Sequence, residues 1–163
     1  MNQINIKIKK KTFPLKAENK QSKNLIFKNL NFIIKKSQFV SIFGPSGCGK
    51  TTLLNIISGL DKDFDGSVQT LNSATNPNKN ISYMFQAPRL FPWLTAIENV
   101  KFPIKKKKNC EKIALEFIKK IGLERYKNQY PNKLSGGMQR RIALARAFAP
   151  NPNILLLDEP FIS

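Results

Sequence analysis

Residues 44–52 read GPSGCGKTT. This stretch fits the pattern GxxxxGK[ST], and it follows an almost wholly apolar run at residues 39–43. We predict a buried strand over 39–43, then a loop, then a helix. The apolar residues of that helix recur at helical spacing, at Leu53, Leu54, Ile56 and Ile57.

The motif predicts a phosphate-binding loop for a physical reason. Glycines let successive backbone N–H groups point inward around an anion, and the following helix presents its positive N-terminal end to the same phosphates. Lys50 adds a positive charge, and the Thr51 hydroxyl can ligate magnesium. A chance glycine-rich turn would have to explain the whole pattern in the right context. We therefore predict nucleotide binding by Gly44, Pro45, Ser46, Gly47, Cys48, Gly49, Lys50, Thr51 and Thr52.

A second motif supplies carboxylates near the other end of the chain. Residues 153–157 read as a buried strand that runs into Asp158 and Glu159, and Pro160 stops further pairing. Asp158 at a strand's carboxyl end can hold the shell of a magnesium ion, and Glu159 can polarise an attacking water. Such a strand is weakly informative alone. Together with the phosphate loop it becomes specific, because the pair predicts one site for phosphate groups and magnesium.

The remaining pattern predicts strands around these motifs and helices between them. Ile4, Ile6 and Ile8 alternate with polar residues, and a second apolar run at 25–34 completes an antiparallel edge. Further strands are expected at 66–70 and 81–85, joined by a turn-rich loop at 72–80. Residues 87–149 read as a mainly helical insert. One of its helices has an apolar face that Gly122 can close, formed by Ile113, Ala114, Phe117, Ile118 and Ile121.

Composition bounds the class of protein. The chain has 163 residues, 41% of them hydrophobic, which suits one globular domain, and no apolar run approaches the roughly 18 residues of a membrane span. We expect it to stay inside the cell. The net charge of +18 raises nucleic acid as an alternative partner, but lysine far outnumbers arginine, so we expect no nucleic acid. Cys48 and Cys110 form no CxxC pattern, and the chain has no histidine, so neither zinc nor a disulfide framework is expected.

A third motif lies between the phosphate loop and the carboxylates, with the sequence LSGGMQRR at residues 134–141. Ser135 is a good helix N-cap, and Gly136 and Gly137 expose backbone N–H groups, which predicts a second anion-binding helix end. A plain loop and helix cap is the alternative for these residues alone. With this motif in place, the sequence resembles the ABC-type ATPase family, whose signature is LSGGQ or a near variant. The resemblance covers nearly the entire chain.

The resemblance implies a fold class and a domain plan. The class is α/β, a P-loop NTPase core of mixed sheet with antiparallel edge strands and a mainly α-helical subdomain. The family plan makes 1–163 one incomplete ATPase domain, with the core at 1–86 and 150–163. The helical subdomain, with the signature, would occupy 87–149.

The resemblance also implies roles for further residues. In the family, the signature of one subunit closes on ATP held by its partner in a head-to-tail dimer, which assigns nucleotide contacts to Ser135, Gly136 and Gly137. Gln86 matches the Q-loop glutamine, expected near magnesium and the attacking water. Phe13 is the best match for the aromatic residue that stacks on adenine, although Phe27 and Phe32 compete as core residues.

A narrower resemblance concerns residues 85–100, which read FQAPRLFPWLTAIENV. They resemble the nitrate, sulfonate and taurine importer branch, where FQ.PRL.PW recurs, except that Ala87 stands where that branch often has glutamate. The implied protein energises an importer from the cytoplasmic face of the membrane. It would be held there by permease subunits that also serve a solute-binding protein.

The family continues beyond the second carboxylate motif into a D-loop and a switch histidine. We therefore expect the chain to be incomplete and to hydrolyse ATP weakly or not at all. Two alternatives stay open. One is a truncated nucleotide-binding fragment that lacks hydrolysis, and the other is a soluble ABC ATPase of the translation or DNA-repair kind.

Overall fold

The computed structural model describes residues 3–14, 23–70 and 81–160. The chain divides into two compact units, an N-terminal unit, Met1–Lys79, and a C-terminal unit, Asn80–Ser163. The predicted loop at 72–80 lies outside the described residues, and the division into core and helical subdomain stays a prediction.

The N-terminal unit is built on a three-stranded antiparallel sheet of order β2-β1-β3. The central strand β1 spans Gln3–Pro14 and pairs with β2, Lys23–Lys35, and β3, Asp65–Thr70. The alternating isoleucines of β1 are all buried, which confirms the predicted half-buried strand. The β1–β2 register shifts between Lys11 and Thr12, so β1 is irregular just before Phe13.

The helix predicted after the phosphate loop is present as α1, Lys50–Ser58. It ends at Gly59, whose φ of 76° is a left-handed conformation that glycine adopts without strain. Its buried residues are the predicted ones, Leu53, Leu54, Ile56 and Ile57.

The predicted buried strand over 39–43 is wrong. These residues are irregular, and Phe39 and Phe43 are 89% and 90% exposed. An apolar run indicates that side chains favour burial, but a strand also needs neighbours that pair with its N–H and C=O groups. Neither sheet of the described part of the chain includes this segment.

The C-terminal unit joins a parallel strand pair to three helices. The strands are β4, Ile81–Met84, and β5, Ile154–Leu157, and the helices are α2, Ala96–Lys101, α3, Cys110–Lys120, and α4, Gly136–Phe148. Short 3₁₀ turns occupy Phe102–Ile104, Glu124–Tyr126 and Pro131–Lys133. Helices thus occur within 87–149, and the α/β class is confirmed, while the bounds of a helical subdomain stay a prediction. Within the described residues, no helix has both the length and the apolar character that crossing a membrane would need.

A single apolar cluster holds the three helices together. It contains Val100 of α2, Ala114 and Ile118 of α3, and Ile142 and Ala145 of α4, all essentially inaccessible to solvent. Leu123, which follows shortly after α3, also belongs to this cluster. Gly122, with φ of 70°, lets the amide of Leu123 reach the carbonyl of Ile118 at 3.0 Å, which closes the helix as predicted.

Tyr83 on β4 carries a buried polar atom without a hydrogen-bond partner in the described ranges. Its ring stacks on Phe85 with centroids 4.4 Å apart, and its hydroxyl is buried. Burial raises the pKa of Tyr83 to about 12, the negative charge of Asp158 adds to the rise, and Arg89 opposes it. The folded protein therefore holds Tyr83 neutral at pH values where the unfolded chain begins to ionise it.

We predict that Tyr83→Phe leaves the free energy of unfolding at neutral pH unchanged or raises it by up to ~1 kcal/mol, because the lost hydroxyl is unpaired. The folded pKa lies above the unfolded value of 10.0, so the stability contribution of Tyr83 is lost as pH rises from about 10 to about 12. The free energy of unfolding of the variant should therefore rise relative to that of the wild type over that range. Urea unfolding at neutral and alkaline pH measures both effects. Exposed Tyr126→Phe is the control, and a loss beyond 1 kcal/mol in Tyr83→Phe at neutral pH would show that the hydroxyl has an acceptor.

Candidate functional site

The phosphate loop of the N-terminal unit encloses the ammonium of Lys50. Lys50 is the first residue of α1, and its Nζ donates to the carbonyls of Gly44 and Pro45, each at 3.0 Å. The amide of Cys48 donates to the Pro45 carbonyl at 3.3 Å, which closes a turn within the loop. A positive side chain and the positive end of a helix thus occur at the same exposed loop, an arrangement that attracts anions.

The shape of this loop leaves little room for a side chain at two of its glycines. Gly49 has φ of 103°, and an added Cβ would lie 2.6 Å from Cγ2 of Ile26 and 2.9 Å from Cζ of Phe27, both on β2. An added Cβ at Gly44 would lie 2.6 Å from Sγ of Cys48. The motif glycines therefore allow a compact loop backed by β2, and the support from Ile26 and Phe27 was not foreseen from the sequence.

In the C-terminal unit, the structure brings Gln86 and Glu159 together. The Gln86 side chain donates from Nε2 to Oε2 of Glu159 at 2.6 Å, although the two residues are 73 positions apart. The cause is the parallel pairing of β4 with β5, since parallel strands end at the same edge of a sheet. Two residues that the sequence assigned to one reaction are thus direct neighbours.

Asp158 and Glu159 differ in their surroundings. Asp158 is only 3% exposed, and its amide extends the strand pairing by donating to the Met84 carbonyl at 3.0 Å. Glu159 is half-buried and has φ of 48°, a left-handed conformation that is uncommon for a residue with a side chain and lies directly before a proline. Strained backbone of this kind concentrates at functional sites.

The signature motif forms the start of α4, as predicted. Ser135 is the N-cap, and its Oγ accepts from the amide of Met138 at 3.3 Å. Gly136 and Gly137 are exposed, and a Cβ added to either would meet no described atom within 4 Å. Packing among the described residues therefore gives no reason for these glycines. Their bare backbone suits the close approach of something outside the chain.

Phe13 lies on β1 with its ring 40% exposed. The ammonium of Lys11 lies 4.7 Å from the ring centroid, and Lys11 is itself buried with its Nζ 2.8 Å from Oδ2 of Asp61. The exposed ring is compatible with stacking on a base. However, Phe27 is the aromatic residue that the structure places against the phosphate loop, and Phe32 of β2 is half-buried.

Sequence reasoning missed two residues that shape the segment after Gln86. Asn99 of α2 is buried; its Nδ2 donates to the carbonyls of Phe91, Leu94 and Thr95 at 3.0 to 3.2 Å, and its Oδ1 accepts from the Phe91 amide at 2.8 Å. Arg146 of α4 donates to two carbonyls of the same segment. A buried asparagine within an apolar helix face was the available signal. Trp93, between these anchors, is 68% exposed.

The site residues are thus distributed over the two units. The phosphate loop, with Lys50, Thr51 and Thr52, belongs to the N-terminal unit, as does Phe13. Gln86, Asp158, Glu159 and the signature motif belong to the C-terminal unit. Lys50 contacts carbonyls of its own loop, and Gln86 contacts Glu159.

Known proteins resemble both the sequence and the structure. A family model described as ABC transporter matches residues 27–162. The chain is 45% identical over 138 residues to an aliphatic sulfonates import ATP-binding protein, SsuB, of Bacillus cereus, covering 83% of this chain and 55% of that protein. It is 42% identical over 161 residues to the SsuB protein of Bacillus subtilis (strain 168), covering 97% and 61%. The chain therefore spans little more than half the length of these curated relatives.

Solved structures agree with this match. The chain superposes with a TM-score of 0.83 and 39% identity on the dimeric structure of a post-hydrolysis state of the ATP-binding cassette MJ0796 bound to ADP and Pi, covering 97% of this chain and 74% of that one. A second dimeric structure of MJ0796, titled a bacterial ABC transporter cassette, gives a TM-score of 0.82 and 40% identity. Since the family model covers most of the chain and the fold agrees, the chain belongs to the ABC transporter ATP-binding family.

Proposed function

We propose that this chain forms the nucleotide-binding part of an ATPase that energises solute import. The observation that carries the proposal is the Gln86–Glu159 hydrogen bond at 2.6 Å, because it joins a water-polarising carboxylate to the glutamine expected beside the attacking water. The phosphate loop supplies the binding half of the same reaction. ATP is the proposed nucleotide, in keeping with a solved relative bound to ADP and Pi.

The chain offers the oxygen donors that magnesium prefers. Asp158 places a carboxylate at the carboxyl end of β5, Thr51 offers a hydroxyl in the first turn of α1, and Gln86 offers an amide oxygen. Mg²⁺ in nucleotide sites is held by few protein groups together with phosphates and water, and this donor set fits that chemistry. The ion would neutralise charge on the phosphates. We propose Thr51, Asp158 and Gln86 as its protein contacts.

Each side chain has a separate task in the proposed reaction. Lys50 and the loop residues 44–52 hold the phosphates through positive charge and backbone N–H groups. Glu159 accepts a proton from the attacking water, and Gln86 keeps that carboxylate oriented through its hydrogen bond. Phe13 would stack on adenine. Ser135, Gly136 and Gly137 would contact ATP held by a second subunit in a head-to-tail dimer.

We further propose an importer of the nitrate, sulfonate and taurine type. Relatives bearing the name aliphatic sulfonates import ATP-binding protein support this branch, and dimeric structures of a related cassette support a second ATPase subunit as partner. Membrane permease subunits would hold the protein at the cytoplasmic face, and a solute-binding protein would be an indirect partner.

Nucleotide binding at the phosphate loop can be tested by removing the ammonium of Lys50. Lys50→Ala should weaken Mg-ATP binding by about 10- to 100-fold, because one charge-assisted contact contributes roughly 1.5–3 kcal/mol. Isothermal titration calorimetry measures the affinity, and Lys62→Ala, an exposed lysine of the same unit, is the matched control. Equal affinity in wild type and Lys50→Ala would refute the loop as the site. Binding without phosphate release would instead favour the alternative of a fragment that does not hydrolyse ATP.

The role of the signature glycines can be tested by adding a methyl group to one of them. Gly137→Ala should leave stability unchanged or raise it by about 0.5–1 kcal/mol, since alanine favours helix and its Cβ has open space. The same change should lower the population of ATP-induced dimer, because the added methyl obstructs the bare helix end. Light scattering with Mg-ATP and thermal unfolding give the two readouts, with Glu116→Ala on the exposed face of α3 as control. Dimerisation as strong as that of the wild type would remove the signature from the interface.

A further inference from the structure

One arginine of the signature helix holds the backbone that directly follows Gln86. Arg146 of α4 donates from Nη1 to the carbonyl of Arg89 at 2.8 Å and from Nη2 to the carbonyl of Pro88 at 2.7 Å. The two acceptors are consecutive carbonyls, and the planar guanidinium reaches both at once from one fixed fork. The position of residues 88–89 is therefore tied to the position of α4.

The surroundings of Arg146 make this contact a strong one. The guanidinium is partly buried, and desolvation lowers the pKa of Arg146 below its usual range. The centroid of the Phe91 ring lies 5.8 Å from the guanidinium carbon of Arg146. A charge removed from water needs fixed acceptors, and the two carbonyls supply them. Lysine, with a single ammonium, cannot reproduce a two-nitrogen fork.

The same short segment is anchored at its other end by the catalytic pair. Gln86 donates to Glu159, and Arg89 has φ of 44° with its guanidinium carbon 4.0 Å from the centroid of the Phe85 ring. Few backbone bonds separate Gln86, held by Glu159, from Pro88, held by Arg146. A displacement of Pro88 by α4 therefore moves Gln86 relative to Glu159, because the intervening backbone has little slack.

The helix α4 connects this anchor to the signature motif. Ser135 caps its N-terminus, and Arg146 lies on the same continuous helix, about 16 Å further along at 1.5 Å per residue. We propose that Arg146 is a positioning residue that makes the Gln86–Glu159 hydrogen bond depend on where α4 lies. The consequence rests on the proposed function. Engagement of Ser135, Gly136 and Gly137 by a partner's nucleotide would be transmitted through α4 to the catalytic pair of this chain.

The test observes Gln86 itself, in the whole chain without nucleotide. In ¹H–¹⁵N NMR spectra the side-chain amide of Gln86 is assigned by its loss in Gln86→Ala, and Glu159→Ala gives its position without the hydrogen bond. Arg146→Lys should shift this amide a large part of the way to the Glu159→Ala position. Arg141→Lys is the matched control, because Arg141 also lies on α4 and donates to a carbonyl, that of Ile121 at 3.0 Å, yet should leave the Gln86 amide unmoved.

An unmoved Gln86 amide in Arg146→Lys would overturn the proposal, even if the melting temperature falls, since that combination is what a purely structural contact produces. If Arg146→Lys does not fold, Arg146→Gln takes its place with the same two outcomes, because it removes the desolvated charge. The NMR samples contain no nucleotide. A failure of ATP binding is therefore detected separately, by calorimetry, and leaves the shift of the Gln86 amide unaffected.

Discussion

The parallel pairing of β4 with β5 is the constraint on which the C-terminal site depends. The register aligns Met84 with Leu157, and the amide of Asp158 continues the ladder to the Met84 carbonyl. The segments that follow β4 and β5 therefore leave the sheet at the same edge, where Gln86 and Glu159 meet. After Asp158 come Glu159, which has positive φ, and a proline, so the backbone turns there and does not extend the strand. The strand pair thereby sets the geometry of the proposed water-activating group.

Buried polar side chains then shape the segment that extends from this edge. Arg146 holds its first part through the carbonyls of Pro88 and Arg89, and Asn99 holds its later part through Phe91, Leu94 and Thr95. Hydrogen bonds to backbone fix a loop without constraining which side chains it exposes. Trp93 can therefore remain exposed on an ordered loop, an arrangement suited to contact with a protein partner.

In the N-terminal unit, a buried lysine holds two parts of the backbone together. Lys11 is inaccessible to solvent, and its Nζ contacts the carboxylate of Asp61 and donates to the carbonyl of Asp63 at 2.6 Å. These contacts join the irregular part of β1 to the loop after α1, beside the ring of Phe13. A buried lysine is stable only when paired in this way, so its removal would leave Asp61 without its cation. The end of β1 that carries Phe13 is therefore held by electrostatics as well as by backbone pairing.

The amino-acid sequence by itself determined the local elements: the alternating isoleucines of β1, the apolar face of α1, the glycine that closes α3 and the serine that caps α4. Each follows from periodicity or backbone preference over a few residues. It also identified the ABC family, because three motifs occur in order. The run at 39–43 shows where this reasoning stops, since apolar composition predicts a tendency to burial and not a pairing partner. Two results needed the tertiary structure. The side chain of Gln86 touches that of Glu159, and Arg146 and Asn99 hold the segment that follows Gln86. The contacts of Gln86 and Arg146 join residues distant in sequence, whose proximity follows from strand register and helix packing. Those of Asn99 lie within one short segment and depend on how that segment turns.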